Sequence, residues 1–347
     1  MEPALAVRPA LPRRAGRRTN IALLGLLLLA FVTGVLAYGV GTPTAATVVV
    51  AIHGAAGLGL LLLVPWKAVI VRRSWPHAAS TRALATGLGA LVAITVLAGV
   101  LHAIGVAPLS MLLFHVAIAI CVAPLLLIHA RGRRQRPRRT DLSRRTLLKT
   151  GALAAGAAAL WAAGEGALRL TGAPGADRRG TGSLERGTDD PTAMPVTQWF
   201  TDTVPERIGD AITVVVGDQR ARIPISDLDR GDRVRAVLDC TGGWYAAQDW
   251  AGVRLDRLLG EVTDKDLPED GSIDVISRTG YRRRVPLRDA PALLLATSAA
   301  GRALSDGHGA PVRLVAPGRR GFWWVKWVAR IEVVDAPWWR QPPFPLQ

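Results

Sequence analysis

The residue best placed for chemistry is a cysteine in a short turn, Leu238-Asp239-Cys240-Thr241-Gly242-Gly243-Trp244. A β-branched run at 233–238 ends just before it, so Cys240 stands at a strand end with two glycines close behind. A thiolate in that position projects into a cleft, and the glycines let the backbone approach a ligand closely. The plainer reading is a buried free cysteine that packs as a small hydrophobe.

Histidine is the second residue type in unusual company. His53, His102, His115 and His129 lie in, or at the ends of, long uncharged apolar runs. An ionisable group there is costly and usually serves a task. His53 and His115 each lie about 10 Å into their runs from the same side, at 1.5 Å per helical residue. Two imidazoles at one depth suit a bis-histidine haem b site, and Gly54 and Gly57 beside His53 leave room for a flat macrocycle. His102 is an alternative ligand. His129 falls about 40° from His115 around a helix, a spacing that resembles helices of di-haem cytochromes b. The matching place after His53 is Lys67, so a second haem lacks a partner. Without haem, the histidines would pair with backbone carbonyls and the helices would serve as a plain anchor.

These side chains need a scaffold. Runs at 21–40, 47–64, 83–104 and 108–128 lack charge and reach, or nearly reach, the roughly 20 helical residues that cross a bilayer core. A fifth, 147–168, is Ala/Gly-rich with Glu165 near its end. Basic residues alternate with these runs: Arg13, Arg14, Arg17 and Arg18; Lys67, Arg72 and Arg73; then the segment 131–145. Loops 41–46 and 105–109 carry no charge. The positive-inside bias therefore sets the N-terminus in the cytoplasm and everything after about residue 170 outside. Ser143-Arg144-Arg145-Thr146-Leu147-Leu148-Lys149, followed by an Ala/Gly-rich run, resembles a twin-arginine export signal. The basic end of an ordinary membrane helix would look similar. Four preceding helices and the lack of an A-x-A site predict that the segment stays as an anchor.

A formal net charge of +16 and a pI near 11.3 would suggest nucleic acid in a soluble chain. Here the basic residues flank apolar runs, so the charge reads as topology and nucleic acid is not an expected partner. Cys121 and Cys240 lie in different halves, which argues against a disulfide framework.

After residue 170 the character changes. Residues 171–195 are rich in Gly, Thr, Pro and charge and read as a flexible linker. Short β-branched runs follow at 211–216, 233–238, 272–276, 312–315 and 327–334, with helix-like stretches at 255–259 and 287–300. That mixture predicts an α+β domain. The expected organisation is a basic arm (1–20), a four-helix transmembrane bundle (21–130), the twin-arginine-like motif with a fifth helix (131–170), the linker (171–195), the α+β domain (196–337) and a Trp/Pro-rich tail (338–347).

The string CTGGWYAAQDWAGVRLDRLL resembles the active-site segment of the sulfite oxidase family: a Cys, a small-residue turn, a Trp, then W-x-G-V-x-L. His308-Gly309-Ala310-Pro311-Val312-Arg313, then Pro317-Gly318, Gly321 and Val325-Lys326-Trp327, is similar to that family's H-G-x-P-x-R and V-K-W elements. Ser277-Arg278-Thr279-Gly280-Tyr281 joins the two blocks, and the resemblance spans 197–335. It implies that the Cys240 sulfur ligates molybdenum and that His308, Arg313 and Lys326 bind the molybdopterin. A guanidinium fork and an ammonium suit phosphate oxygens. Tyr245, Arg278 and Tyr281 are candidates for the substrate cleft. The upstream Arg and His that grip the pterin elsewhere in the family have no counterpart here, and the layout lacks an Ig-like dimerisation domain. It looks closer to the monomeric periplasmic reductases that repair methionine sulfoxide.

The expectation is a multi-pass protein of the cytoplasmic membrane: an α-helical bundle with a fifth anchor helix, then an extracytoplasmic α+β molybdopterin-binding domain. The expected activity is two-electron or oxygen-atom transfer at molybdenum, sulfoxide-reductase-like. The substrate would be a small molecule or a protein sulfoxide, and lipid, quinone or another redox partner would complete the set. A metal-free, membrane-tethered binding or sensor module is the rival. Trp323, Trp324 and Trp327 are expected in the core, and Trp338 and Trp339 at the membrane interface or against the bundle.

Overall fold

The computed structural model describes residues 16–73, 79–131, 141, 143–199, 201–207, 209–263 and 270–345. Arg13, Arg14 and the basic segment 132–140 lie outside them. The chain divides into two compact units, Met1–Ala37 with Thr47–Ala176, and Tyr38–Ala46 with Asp177–Gln347.

The first unit is helical: α1 (Arg17–Gly39), α2 (Pro43–Leu62), α3 (Val64–Arg73), α4 (Ala79–Ile104), α5 (Ser110–Arg131) and α6 (Arg144–Thr171). All but α3 are long and apolar enough to cross a membrane. Large apolar side chains such as Leu28, Val32, Leu97, Ile120 and Leu127 stay exposed. Contacts between helices use small residues instead. The Trp161 ring of α6 lies directly on Gly54 of α2, where no Cβ could stand, and a Cβ on Gly59 would come 3.1 Å from Ala157 Cβ. The basic stretch 65–82 is not simply a loop. It opens with α3, because Lys67, Arg72 and Arg73 leave an apolar side on which Val69 is buried.

The second unit holds two sheets. One has the order β1-β5-β8-β10, with β4 also on β5 and β9 on β8; the other runs β3-β2-β11-β6-β7. The strands are β1 (Leu184–Glu185), β2 (Ala211–Val216), β3 (Gln219–Pro224), β4 (Asp232–Cys240), β5 (Trp244–Arg254), β6 (Ser272–Ser277), β7 (Arg282–Pro286), β8 (Leu294–Ala299), β9 (Arg302–Ala303), β10 (Arg313–Val315) and β11 (Val328–Val334). Pairing is antiparallel except for β1 with β5 and β2 with β11. Helix α7 (Leu255–Val262) buries Leu255, Leu258 and Leu259, the i, i+3, i+4 stripe of an amphipathic helix.

Two expectations fail here. The stretch 287–300 is not a helix but a 3-10 turn, Leu287–Ala292, containing Pro291, followed by β8. Leu294, Leu295 and Ala296 are all buried; a strand covered on both faces shows no alternation and reads like a helix. The 171–195 segment is not a free linker either. It holds a 3-10 turn, Pro174–Asp177, and strand β1, and it buries Ser183, Leu184 and Met194. Thr181 and Ser183, which suggested a solvated chain, are instead hydroxyl donors to a buried carboxylate.

Candidate functional site

Strand β4 ends at Cys240 and β5 returns from Trp244, with Cys240 opposite Trp244 in the ladder. Gly243 turns the chain at φ 86° and returns its N–H to the Cys240 carbonyl at 3.1 Å. The only side chain this geometry favours there is a hydrogen atom. Gly321 presses on the same turn: a Cβ there would come 3.0 Å from Cys240 Cα. The turn thus presents Cys240 half-buried, with its Sγ 3.0 Å from Thr197 Oγ1 and 3.3 Å from the Gly242 N–H.

The neighbouring Asp239 fixes this turn from behind. Its carboxylate accepts from Thr181 Oγ1 at 2.8 Å and Ser183 Oγ at 2.7 Å, and pairs with Arg179 at 3.3 Å and with Arg320. Arg320 is only 3% exposed and also donates to the Cys240 carbonyl at 3.4 Å. Charged hydrogen bonds in such low-dielectric surroundings are strong and orienting.

On the other side of the cysteine lie the three residues assigned by resemblance. His308 is buried, with Nδ1 2.8 Å from Ser305 Oγ. Its Nε2 is buried without a hydrogen-bond partner. Arg313 is 1% exposed, gives Nη1 to the His308 carbonyl at 3.0 Å and stands over the rings of Trp250 and Trp324. Its Nε is also unpaired, and no carboxylate among the described residues pairs with it. Lys326 Nζ donates to the carbonyls of Thr197 at 2.8 Å and Gly307 at 2.5 Å. Gly309, at φ 104°, lets these strands close up; a Cβ there would meet Lys326 and Arg313.

Burial dominates the electrostatics. It pushes the Arg313 guanidinium down to about 10, against an opposing pull from Cys240. Burial, then Arg313 and Lys326, bring His308 down to about 4. Burial, then Arg313, lower Lys326 to about 7. The buried Arg313 guanidinium, with no ion-pair partner among the described residues, and the His308 ring and Lys326 amine beside it suit an anionic group, while Asp202 acts on Lys326 from further off. The orphaned His308 Nε2 and Arg313 Nε, together with the orphaned indole N–H of Trp244, supply the hydrogen-bonding atoms that a pterin phosphate would satisfy. The residues present fit molybdopterin.

A pH dependence follows. Between about 7 and 10.5 the folded, cofactor-free protein holds Lys326 neutral while the unfolded chain keeps it protonated. Stability should therefore rise with pH across that window. A bound anion would keep the ammonium charged, so the loaded protein should lack this rise. Denaturant titrations of both forms at pH 7 and 9 check it.

Of the cleft candidates, Tyr281 is buried, donates its hydroxyl to the Phe322 carbonyl and is held above the usual phenol range, chiefly by burial. It also lies within the electrostatic reach of Cys240. Tyr245 sits on β5 beneath the Arg179 guanidinium, 5.2 Å from its ring centre, and its phenol is raised, first by burial and then by Glu185. Arg278 is engaged at the start of β2, on the Ala211 carbonyl at 3.0 Å and against Gly209.

Sequence reasoning missed Thr197, Asp239 and Arg320. Their signals were a polar segment next to the domain and a doubled arginine between Gly318 and Gly321. It also missed an aromatic wall. Trp199 and Phe322 rings lie 6.2 Å apart, Phe322 and Phe344 5.7 Å apart, and the Trp199 indole donates to Pro345. Trp324 and Trp327 are buried as expected, whereas Trp323 is half-buried. The tail is tied back onto this unit by Gln341, which donates to the Arg284 carbonyl at 2.7 Å. Trp339 is 67% exposed.

The helical unit brings its own pair together. His53 and His115 have ring centres 5.9 Å apart at 81°. Nδ1 of each is held by a backbone carbonyl, Ala30 at 2.9 Å and Thr95 at 2.8 Å. Gly34 and Gly99 lie against these rings; a Cβ on either would come within 3.1 Å of an imidazole carbon. His102 is buried near the end of α4, and His129 lies in the last turn of α5.

Residues 213–341 match the family model described as the oxidoreductase molybdopterin binding domain. Among solved structures, the chain is similar to the sulfane dehydrogenase SoxCD from Paracoccus pantotrophus, at 27% identity and a TM-score of 0.33. The match covers 37% of this chain and 38% of the length of that one. Over residues 213–341, the sheet-rich part of this chain thus carries a match to the molybdenum-cofactor-binding domain of sulfite oxidase type.

Proposed function

We propose that this protein is a membrane-anchored molybdopterin oxidoreductase whose C-terminal domain works outside the cytoplasmic membrane. The observation that carries this reading is the set of buried His308, buried Arg313 and half-buried Lys326, none in an ion pair with a carboxylate among the described residues, beside the half-buried Cys240. When bound, molybdopterin supplies a metal that exchanges two electrons or an oxygen atom with substrate. Cys240 holds the metal through sulfur. Arg313 and Lys326 take phosphate oxygens, and His308 offers Nε2 to a polar edge of the pterin. The carboxylate of Asp239, locked by Arg320, would hold the cysteine turn in place.

The aromatic wall of Trp199, Phe322 and Phe344 suits a neutral substrate, and a sulfoxide, free or on a protein, is the class it favours. Its oxygen leaves as water with two electrons and two protons. We assign the electron supply to haem b between His53 and His115, fed from quinone. The two imidazole ring centres lie 5.9 Å apart, and both rings would hold the haem iron. Carbonyl-held Nδ1 atoms leave each Nε2 as the ligand. The Lys/Arg pattern supports the outward placement of the domain. The seating of Trp161 on Gly54 supports a twin-arginine-like helix that stays in the bundle.

Purified, molybdenum-loaded protein should oxidise reduced viologen when a sulfoxide is added, and Cys240→Ser should not. Loaded protein inert toward every sulfoxide offered would overturn the substrate class. His53→Ala should abolish the haem absorbance of the purified protein, and haem content equal to wild type would remove the relay.

A further inference from the structure

We infer that Thr197 tunes the metal through the Cys240 sulfur: its hydroxyl donates a hydrogen bond to the metal-bound thiolate and raises the reduction potential of the metal. The inference rests on the reading of Cys240 as the molybdenum ligand. Thr197 Oγ1 lies 3.0 Å from Sγ, and the Gly242 N–H lies 3.3 Å from it on the other side of the turn. A coordinated thiol carries no proton, so the hydroxyl is the donor and the sulfur the acceptor.

The hydroxyl is held in place. The Thr197 carbonyl accepts from Lys326 at 2.8 Å. The preceding Val196 packs on Gly307, where a Cβ would come within 2.8 Å of its methyls. The Thr197 methyl faces Gly242, where a Cβ would lie 3.2 Å from Thr197 Cγ2. With the methyl confined on that side and the backbone pinned, the oxygen is left on the sulfur. Donors to a ligating sulfur withdraw electron density from the metal and favour its more reduced state, a recognised means of setting potentials. Thr197 is thus a positioning residue, acting through Cys240 and not on substrate.

Two substitutions separate the hydrogen bond from packing. Thr197→Val keeps the branched shape and loses the donor, whereas Thr197→Ser keeps the donor and loses the methyl. In the full-length, molybdenum-loaded protein the readouts are molybdenum content and the midpoint potential and spectrum of the paramagnetic Mo(V) state in a redox titration. Thr197→Val should load fully, titrate at a lower potential and shift the Mo(V) signal, while Thr197→Ser should match wild type. A Thr197→Val protein with wild-type potential and signal overturns the inference, as does an equal shift in both variants. If Thr197→Val fails to load, Thr197→Ala takes its place: it also loses the donor and should move the same signal relative to Thr197→Ser, and an unmoved signal overturns the inference. Wild type without molybdenum overturns the ligand reading itself, which is a separate failure.

Discussion

Cys240→Ser should purify folded but with its molybdenum content lowered and its turnover reduced by far more than a hundredfold. Disturbing outer-shell partners of a metal ligand alone costs about 10- to 100-fold, and this change removes the ligating sulfur. The substitution is mild in every other respect. Cys240 closes β4 opposite Trp244, and the turn behind it is fixed by Gly243, Gly321 and the Asp239–Arg320 pair, none of which depends on the sulfur. Serine fits the same space, so the melting temperature of the cofactor-free protein should scarcely move. Metal content and viologen-linked turnover on the same preparation check the first claim, and thermal unfolding checks the second.

Asp239→Ala should act in the opposite way, through the fold. Asp239 is 4% exposed and receives Thr181, Ser183, Arg179 and Arg320. Removing the carboxylate leaves Arg320 as a buried cation without a counter-charge, a loss of about 3–5 kcal/mol. For a domain of this size that is a fall in melting temperature on the order of 10 °C. Asp239→Asn keeps the shape and one acceptor oxygen and should lose less. The Cys240 turn would loosen in both, so metal retention should fall in the same order. Unfolding curves that place Asp239→Ala within about 1 kcal/mol of wild type would show that solvent already screens this pair.

The helical half was legible because long apolar helices announce themselves: each is a continuous apolar run with basic residues near one end. His53 and His115 could be matched because helical rise converts sequence position into depth, and the structure sets their rings in contact. What sequence could not give was pairing. Strand β5 carries the cysteine turn into the sheet, yet it reads QDWAGVR in its second half, without β-branched enrichment. Its assignment comes from Trp244, Ala246, Gln248 and Trp250, which alternate into the core. Likewise Thr181, Ser183 and Thr197 looked like solvated linker and edge residues. Their roles depend on Asp239 and Cys240, more than 40 positions away. Resemblance supplied Cys240, His308, Arg313 and Lys326; only the fold could supply the residues that hold them.

The central claim is that Cys240 and the cationic cluster hold molybdopterin. Its most direct test is molybdenum per chain, by elemental analysis of detergent-purified wild type and Cys240→Ser made in a host that synthesises the cofactor. About one molybdenum per wild-type chain is expected and clearly less in the variant, which loses the proposed sulfur ligand while Arg313, Lys326 and His308 still hold the pterin. Folded wild type without molybdenum, or a Cys240→Ser protein that carries as much as wild type, would contradict it.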